Sequence, residues 1–248
     1  MIFGSGPLRV ARNGRLVPGE VLVRHRHLQA FAAVVLAGRY SEPGDSGCHD
    51  VGAGDVIFHG PDESHLDRVS ARGAEVLVLP LPDQWNSPPR GRVTDADELA
   101  RLAEKDLRMA VERLADMATP VTVAETDWPQ RLATAIIANP ALRLSDWART
   151  EGLHLGSLSR GFRQVFEVSP KAFRLRARTH QALRLYRSTT LPGATIAYQC
   201  GFADQAHMIR SIAAVTGHSC REIGRPTDSG KNLTDESLNQ ESGGRPSV

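Results

Sequence analysis

Only three cysteines occur among 248 residues, Cys48, Cys200 and Cys220, and their spacing pairs none of them. Nothing in them suggests a disulfide framework, and a reducing compartment is the natural setting. No apolar run approaches the ~18 residues of a membrane span. The opening Met1-Ile2-Phe3-Gly4-Ser5-Gly6-Pro7 carries no apolar core of the kind a secretory signal needs. A soluble cytoplasmic protein is therefore expected, with no membrane contact. Also missing are a nucleophile beside a base, a glycine loop able to cradle phosphate, and a complete set of metal ligands. Catalysis is not the first expectation, and neither a cofactor nor a metal is expected.

What is present is uneven charge. The whole chain sums to +2, yet residues 127–226 hold 14 Lys and Arg against 6 Asp and Glu, while residues 1–126 hold 14 against 18 and residues 227–248 hold 2 against 4. A basic run is as a rule a solvated face. One confined to half a chain suits a polyanion, whose displaced counterions make affinity fall steeply with salt. The length accommodates one large or two modest domains.

The basic half contains two similar patterns. In the first, Leu144 to Gly152 reads as a short helix, with Ser145 as its cap and Gly152 as its stop. A second helix follows, in which Leu155, Leu158, Phe162 and Phe166 recur at helical spacing and bury one face. The opposite face carries Gly156, Ser159, Arg160 and Arg163. Such a small, basic face fits a major groove about 12 Å wide, where Arg160 has the geometry to donate two hydrogen bonds to a guanine. The alternative is a packed surface helix with solvated arginines. The second pattern repeats the arrangement: residues 194–202 form a short helix ended by Gly201, then a helix with Met208 and Ile212 on its apolar face and Gln205, His207 and Arg210 on its polar face. Between them, Pro170 opens a helix to residue 186 bearing Lys171, Arg174, Arg176, Arg178 and Arg184. Seventeen helical residues span roughly 25 Å, which would hold the two outward faces about one DNA turn apart.

These residues resemble the DNA-binding domain of AraC/XylS-type transcription regulators. The matching strings are Leu158-Ser159-Arg160-Gly161-Phe162-Arg163, Val168-Ser169-Pro170, Ile196-Ala197 and Gly201-Phe202-Ala203-Asp204-Gln205-Ala206-His207-Met208. The resemblance implies an all-α domain with two helix-turn-helix units joined by a linker helix. It implies base contacts from Gly156, Ser159, Arg160 and Arg163 and from Gln205, His207 and Arg210. Departures are informative. Glu167 stands where the family has glycine after the first reading helix. Ile212-Ala213-Ala214-Val215 replaces a phenylalanine followed by basic residues, and Cys220 replaces a proline. The second unit is therefore expected to discriminate less between sequences.

The N-terminal half reads as short strands. Val21-Leu22-Val23-Arg24, Phe31-Ala32-Ala33-Val34-Val35-Leu36, Asp55-Val56-Ile57-Phe58-His59 and Ala74-Glu75-Val76-Leu77-Val78-Leu79 are separated by glycine and proline turns, which argues for a small all-β sandwich or barrel. The string Gly54-Asp55-Val56-Ile57-Phe58-His59-Gly60-Pro61, followed by His65, is similar to the second motif of cupin domains, which many AraC-type regulators use to bind an effector. His25, His27, His59 and His65 are the candidate effector-pocket residues, with His49 nearby in sequence. His25-Arg26-His27 offers a cupin-like pair of metal ligands, but the glutamate expected a few residues later is absent; position 31 is Phe and position 32 is Ala, and Glu42 and Asp45 come later across a turn. Three readings stay open for these histidines: a metal site of His25, His27 and His65, a polar ligand pocket, or strand ends.

The expected organisation is thus a cupin-like barrel at 1–92, a helical linker at 93–126, a DNA-binding domain at 127–226 and a disordered tail at 227–248. In the linker, Leu99, Ala103, Leu107, Ala110, Leu114 and Met117 approach a heptad stripe over residues 95–117, with Asp95 or Thr94 as cap. That stripe packs either on its own domain or against a second chain as a homodimer. Expected partners are double-stranded DNA and a small-molecule effector, with RNA polymerase a further candidate. The competing function is a metal-dependent cupin-fold enzyme with an appended nucleic-acid module.

Overall fold

The computed structural model describes residues 14–82, 85, 88–121 and 127–224; the tail expected at 227–248 lies outside them. Among the described residues eight antiparallel strands come first: β1 (Gly14–Leu16), β2 (Val21–Arg26), β3 (Phe31–Gly44), β4 (Gly47–Gly52), β5 (Asp55–His59), β6 (Ser64–Pro80), β7 (Arg90–Val93) and β8 (Ala118–Pro120). Helices α1 (Ala96–Lys105) and α2 (Leu107–Met117) lie between β7 and β8. Seven more follow: α3 (Trp128–Ala138), α4 (Leu144–Thr150), α5 (Leu155–Phe166), α6 (Pro170–Ser188), α7 (Gly193–Gln199), α8 (Gln205–Thr216) and α9 (Cys220–Ile223). Among the described residues no helix is long and apolar enough to cross a membrane.

The sheet is organised around β3, which is flanked by β6 and β5 and buried on both faces at residues 31–35. That double burial is why Phe31 to Val35 reads as an unbroken apolar run. Phe31, Ala33 and Val35 join Tyr40, Ile57, Val69 and Val76 in one core, while Ala32 and Val34 join Val56, Phe58, Leu77 and Leu79 in another on the opposite face. Midway, the β3–β6 register shifts twice, between Val35 and Ala37 and between Gly38 and Tyr40. Gly38 and Gly73 meet there, both with φ +75°, and a Cβ on Gly38 would lie 2.1 Å from the Gly73 carbonyl oxygen. Glycine is required at that crossing. The expected barrel is corrected to an open sheet. Its order is β1-β6-β3-β5-β7-β8, with β2 on β6 and β4 on β3, and the three-residue end strands β1 and β8 are not paired to each other.

The single helix expected over 95–117 is two. Asp106, extended at φ −151° and ψ 104°, ends α1 with its backbone N–H on the Leu102 carbonyl and starts α2 with its side chain on the Met109 N–H. A short acidic side chain that accepts an orphaned backbone N–H at the start of the next helix competes effectively with helix continuation. Asp95 caps α1, as expected. The apolar stripe is buried within the chain: Leu99, Ala103, Ala110, Leu114 and Met117 pack on the sheet face formed by Ala32, Val34, Leu77 and Leu79. It is not free to face a second chain.

The helical region has two cores. Leu132, Ile136, Leu158, Phe162, Phe166 and Phe173 fill the first, with Trp128 so close to α5 that a Cβ on Gly161 would fall 2.4 Å from its ring. Leu183, Ile196, Phe202, Met208 and Ile212 fill the second. Helix α6 crosses both.

Candidate nucleic-acid interface and a histidine-lined cavity

Helices α4 and α5 form the first helix pair, turning at Gly152 (φ +66°). Ser145 is not the cap; Arg143 holds that position without a side-chain bond, and Ser145 lies inside α4. The cap of α5 is His154, whose Nδ1 accepts the Gly156 N–H at 3.1 Å. Leu158, Phe162 and Phe166 face inward as expected, but Leu155 is 47% exposed because it is the first helical residue and precedes the packed turns. Ser159, Arg160 and Arg163 are exposed and Gly156 is half-buried. The helix ends at Glu167 in the left-handed region (φ +59°), the conformation for which glycine is the usual residue. Arg68 pairs with that carboxylate at 3.4 Å.

Helices α7 and α8 form the second pair, turning at Gly201 (φ +73°). Asp204 caps α8 by accepting the His207 N–H at 2.6 Å. Gln205 and Arg210 are exposed, whereas His207 is half-buried, edge-on to Phe202 at 5.3 Å. Gln205 also lies across the start of α7, where a Cβ on Gly193 would meet its amide at 2.7 Å. Helix α8 ends at Gly217 (φ +76°). Cys220, in the family's proline position, is the first residue of α9, which Ser219 and Glu222 cap reciprocally.

Helix α6, capped by Ser169, runs two residues further than expected, and its 19 residues span roughly 28 Å. Its basic residues are largely engaged inside the molecule rather than offered to phosphate. Arg174 donates to the Leu142 carbonyl at 3.0 Å, and Arg178 to those of Pro140 and Gly201 at 3.1 and 2.9 Å. Arg176 donates to Asp45 at 3.2 Å. Lys171 and Arg184 are exposed.

Asp45 is the centre of the contact between the two regions. Its carboxylate accepts from Arg24 at 3.4 Å, Arg176 at 3.2 Å and His180 Nε2 at 3.0 Å. Burial alone would push this carboxyl up; His180, Arg176 and Arg24 outweigh it and hold it below its ordinary value. Asp62 similarly pairs with Arg26 at 3.4 Å and Arg187 at 3.2 Å. Three arginines of the sheet reach the carbonyl ends of α5 and α8. Arg24 donates to Phe166 O at 2.8 Å, Arg68 to Val165 O at 3.0 Å, and Arg26 to Val215 O. These are the orphaned acceptors at the negative ends of two helices, where a cation is favoured.

On the inner face of the sheet, His25, His27, His59 and His65 line one cavity of about 40 Å³, together with Phe31, Tyr40, Glu42 and Asp67. The four expected histidines are thus brought together; His49 is not among the lining residues and hydrogen-bonds to Ser46 at 3.4 Å. The rings crowd: His25–His65 centroids are 4.4 Å apart, His59–His65 4.6 Å, and Phe31 stacks on His59 at 4.2 Å. Burial pushes His59 and His65 well below the ordinary histidine range and His27 to about 4. Burial raises Glu42, helped by Asp67, and lifts Asp67 to about 7.

Sequence reasoning missed Tyr40 and Glu42 as lining residues for one reason. A strand alternates faces every residue, so Phe31, Ala33 and Val35 predict odd residues inward. The register shifts between Val35 and Tyr40 invert that parity, and Tyr40 and Glu42 face inward instead. Gly38 and Gly73 were the available signal, since isolated glycines within strands mark bulges.

Comparison with known proteins matches residues 147–225 to the family described as "Helix-turn-helix domain". No curated protein sequence matches. Among solved structures, the C-terminal domain of AraT, a response regulator from Geobacillus stearothermophilus, is similar at 19% identity over 45% of this chain and 98% of that one, with TM-score 0.39. ToxT from Vibrio cholerae O395 is similar at 10% identity over 84% and 94%, TM-score 0.41. Unsaturated fatty acid bound ToxT from Vibrio cholerae strain SCE256 is similar at 11% identity over 86% and 96%, TM-score 0.40. These overall likenesses are weak; the helix-turn-helix match is the finding that bears on function.

Proposed function

From the AraC-type helix-turn-helix domain at residues 147–225, we propose that this protein is a sequence-specific, DNA-binding transcription regulator whose N-terminal β region, a cupin-like sensor, binds a small effector. The observation that carries the reading is the α5 face. Ser159, Arg160 and Arg163 are exposed on a helix whose other side is locked by Leu158, Phe162 and Phe166. A rigid helix with small and bidentate donors outward suits base edges in the major groove. Gln205, His207 and Arg210 supply a second, weaker contact one α6 length away. The assignment places the DNA-binding domain at 127–226, as charge suggested, while the boundary expected at residue 92 falls inside β7 and the helices at 93–126 pack on the β region.

The link between effector and DNA is β2. His25 lines the cavity while its neighbours Arg24 and Arg26 reach the ends of α5 and α8. A ligand that moves His25 moves those arginines, and the two arrangements of the helical region then differ in DNA affinity by the ligand's differential binding. Mapping of bound promoters in cells supplies the operator, and footprinting on it tests the reading. Two protected tracts a helical repeat apart, with retention that falls as salt rises, are expected. Salt-insensitive retention or a single unstructured footprint sinks it.

A further inference from the structure

The cavity holds more ligand atoms than an organic effector of its size needs. We infer that Glu42, His59 and His65 hold a divalent transition-metal ion. One atom from each of the three lies within 4.8 Å of the others, and Glu42 Oε1 is already 3.5 Å from His59 Nε2. For ligand bonds near 2.1 Å, the edge of a tetrahedral site is roughly 3.4 Å, so that pair is at coordination spacing and His65 needs only a small approach.

The three side chains come from β3, β5 and β6 and line the same cavity, where the His59 and His65 ring centroids are 4.6 Å apart. They are 2, 4 and 5% exposed. Glu42 Oε1, His59 Nε2 and His65 Nδ1 have no hydrogen-bond partner. Buried polar atoms without hydrogen-bond partners on three residues whose ligand atoms lie within 4.8 Å of one another are costly unless something binds them. A cation does this, since it takes lone pairs from a carboxylate and two neutral imidazoles at once. The cavity volume of about 40 Å³ admits roughly three waters at 10–15 Å³ each, which suits an ion with one or two exchangeable waters. Two imidazoles with one carboxylate favour zinc, cobalt, iron or manganese over magnesium and calcium, which prefer all-oxygen sets. His25 and His27 form the other close triad with His65 and flank the ion on the side of β2.

The metal assignment stands on these residues; only its consequence for DNA affinity rests on the regulator reading. Full-length protein stripped by chelator is titrated with Co²⁺ alone, followed by visible d–d absorption and elemental analysis. One Co²⁺ per chain, displaced by Zn²⁺ and not by Mg²⁺, is expected. Glu42→Gln, His59→Ala and His65→Ala should each weaken binding by about 100-fold or more, and His218→Ala should not change it. Far-UV circular dichroism on each variant checks its fold, and the wild-type titration decides even where a variant does not fold. No stoichiometric Co²⁺, binding that survives all three substitutions, or binding lost only on changing His25 or His27 overturns the assignment. Gel retardation with and without Co²⁺ separates the two readings: bound metal in a protein that retards no DNA removes the regulator and leaves the site.

Discussion

The two helix pairs share a plan and differ in what holds the second helix. In the first pair, α5 sits in an aromatic core of Phe162, Phe166 and Phe173 with Trp128 against its back. Its last carbonyls, from Gln164, Val165 and Phe166, accept from Arg68 and Arg24 of the sheet. In the second, α8 rests on Met208, Ile212 and two cysteines and receives one sheet arginine, Arg26 at Val215. Stops differ too: glycine ends α8, whereas Glu167 ends α5 at a φ that costs a side-chain residue on the order of 1 kcal/mol. The first reader is thus the more rigid and the more tightly bound to the β region. On the proposed function, discrimination between DNA sequences is expected from α5, the helix with more contacts to the β region.

The largest expected effect is on stability. Phe162→Ala should cost about 3–5 kcal/mol and Met208→Ala about 2–3 kcal/mol in thermal or urea unfolding; equal losses would remove the contrast between the cores. Next is the hub. Asp45→Asn leaves Arg24, Arg176 and His180 without their shared anion, at about 2–3 kcal/mol given that Arg176 remains partly hydrated. Hydrogen exchange should then rise at the ends of α5 and in α6 before it rises at α8. Acid acts through the same residue. Because the Asp45 carboxyl is held below its ordinary value, its contribution is complete above about pH 4 and disappears as pH falls through the folded value. Domain contact monitored by hydrogen exchange should loosen below pH 4 in the wild type and show no such transition in Asp45→Asn.

DNA affinity gives the third test. Arg160→Ala should cost ~1–3 kcal/mol and relax sequence preference, and Arg210→Ala should cost less, in gel-shift titrations at fixed salt. Equal losses contradict the ranking of the two pairs. The smallest effect is Glu167→Gly. Relief of the left-handed conformation should raise stability by about 0.5–1 kcal/mol, less what the exposed Arg68–Glu167 pair supplies. A loss instead of a gain in unfolding midpoint would show that the ion pair matters more than the backbone.

Much of the helical region was legible residue by residue. Leu158, Phe162 and Phe166 recur at helical spacing beside a glycine turn, and local periodicity is enough to place one face inward. Caps were less legible. Ser145 looked suitable but stands one residue inside α4, and His154, an uncommon cap, does that work for α5. Strand β1, three residues long, is too short to be seen, whereas α3 was passed over although Pro129, Leu132, Ala133 and Ile136 recur at helical spacing along its 11 residues. The four cavity histidines were legible as a group from the His25-Arg26-His27 pair and the cupin-like string with His59 and His65; Glu42 was not.

Sequence by itself determined the helix pairs α4–α5 and α7–α8, the apolar runs within β2, β3, β5 and β6, which faces of α5 and α8 are polar, and that positive charge gathers in residues 127–226. Those are properties of a few consecutive side chains and of composition. Tertiary structure alone decided that the sheet stays open, that the linker helices turn their stripe onto Ala32 and Leu79, and that Arg174, Arg176 and Arg178 bond inward. It also decided that Glu42 joins His59 and His65. Each of these depends on partners tens of residues away or on a bulge that inverts strand parity, and a pattern read along the chain has no term for either.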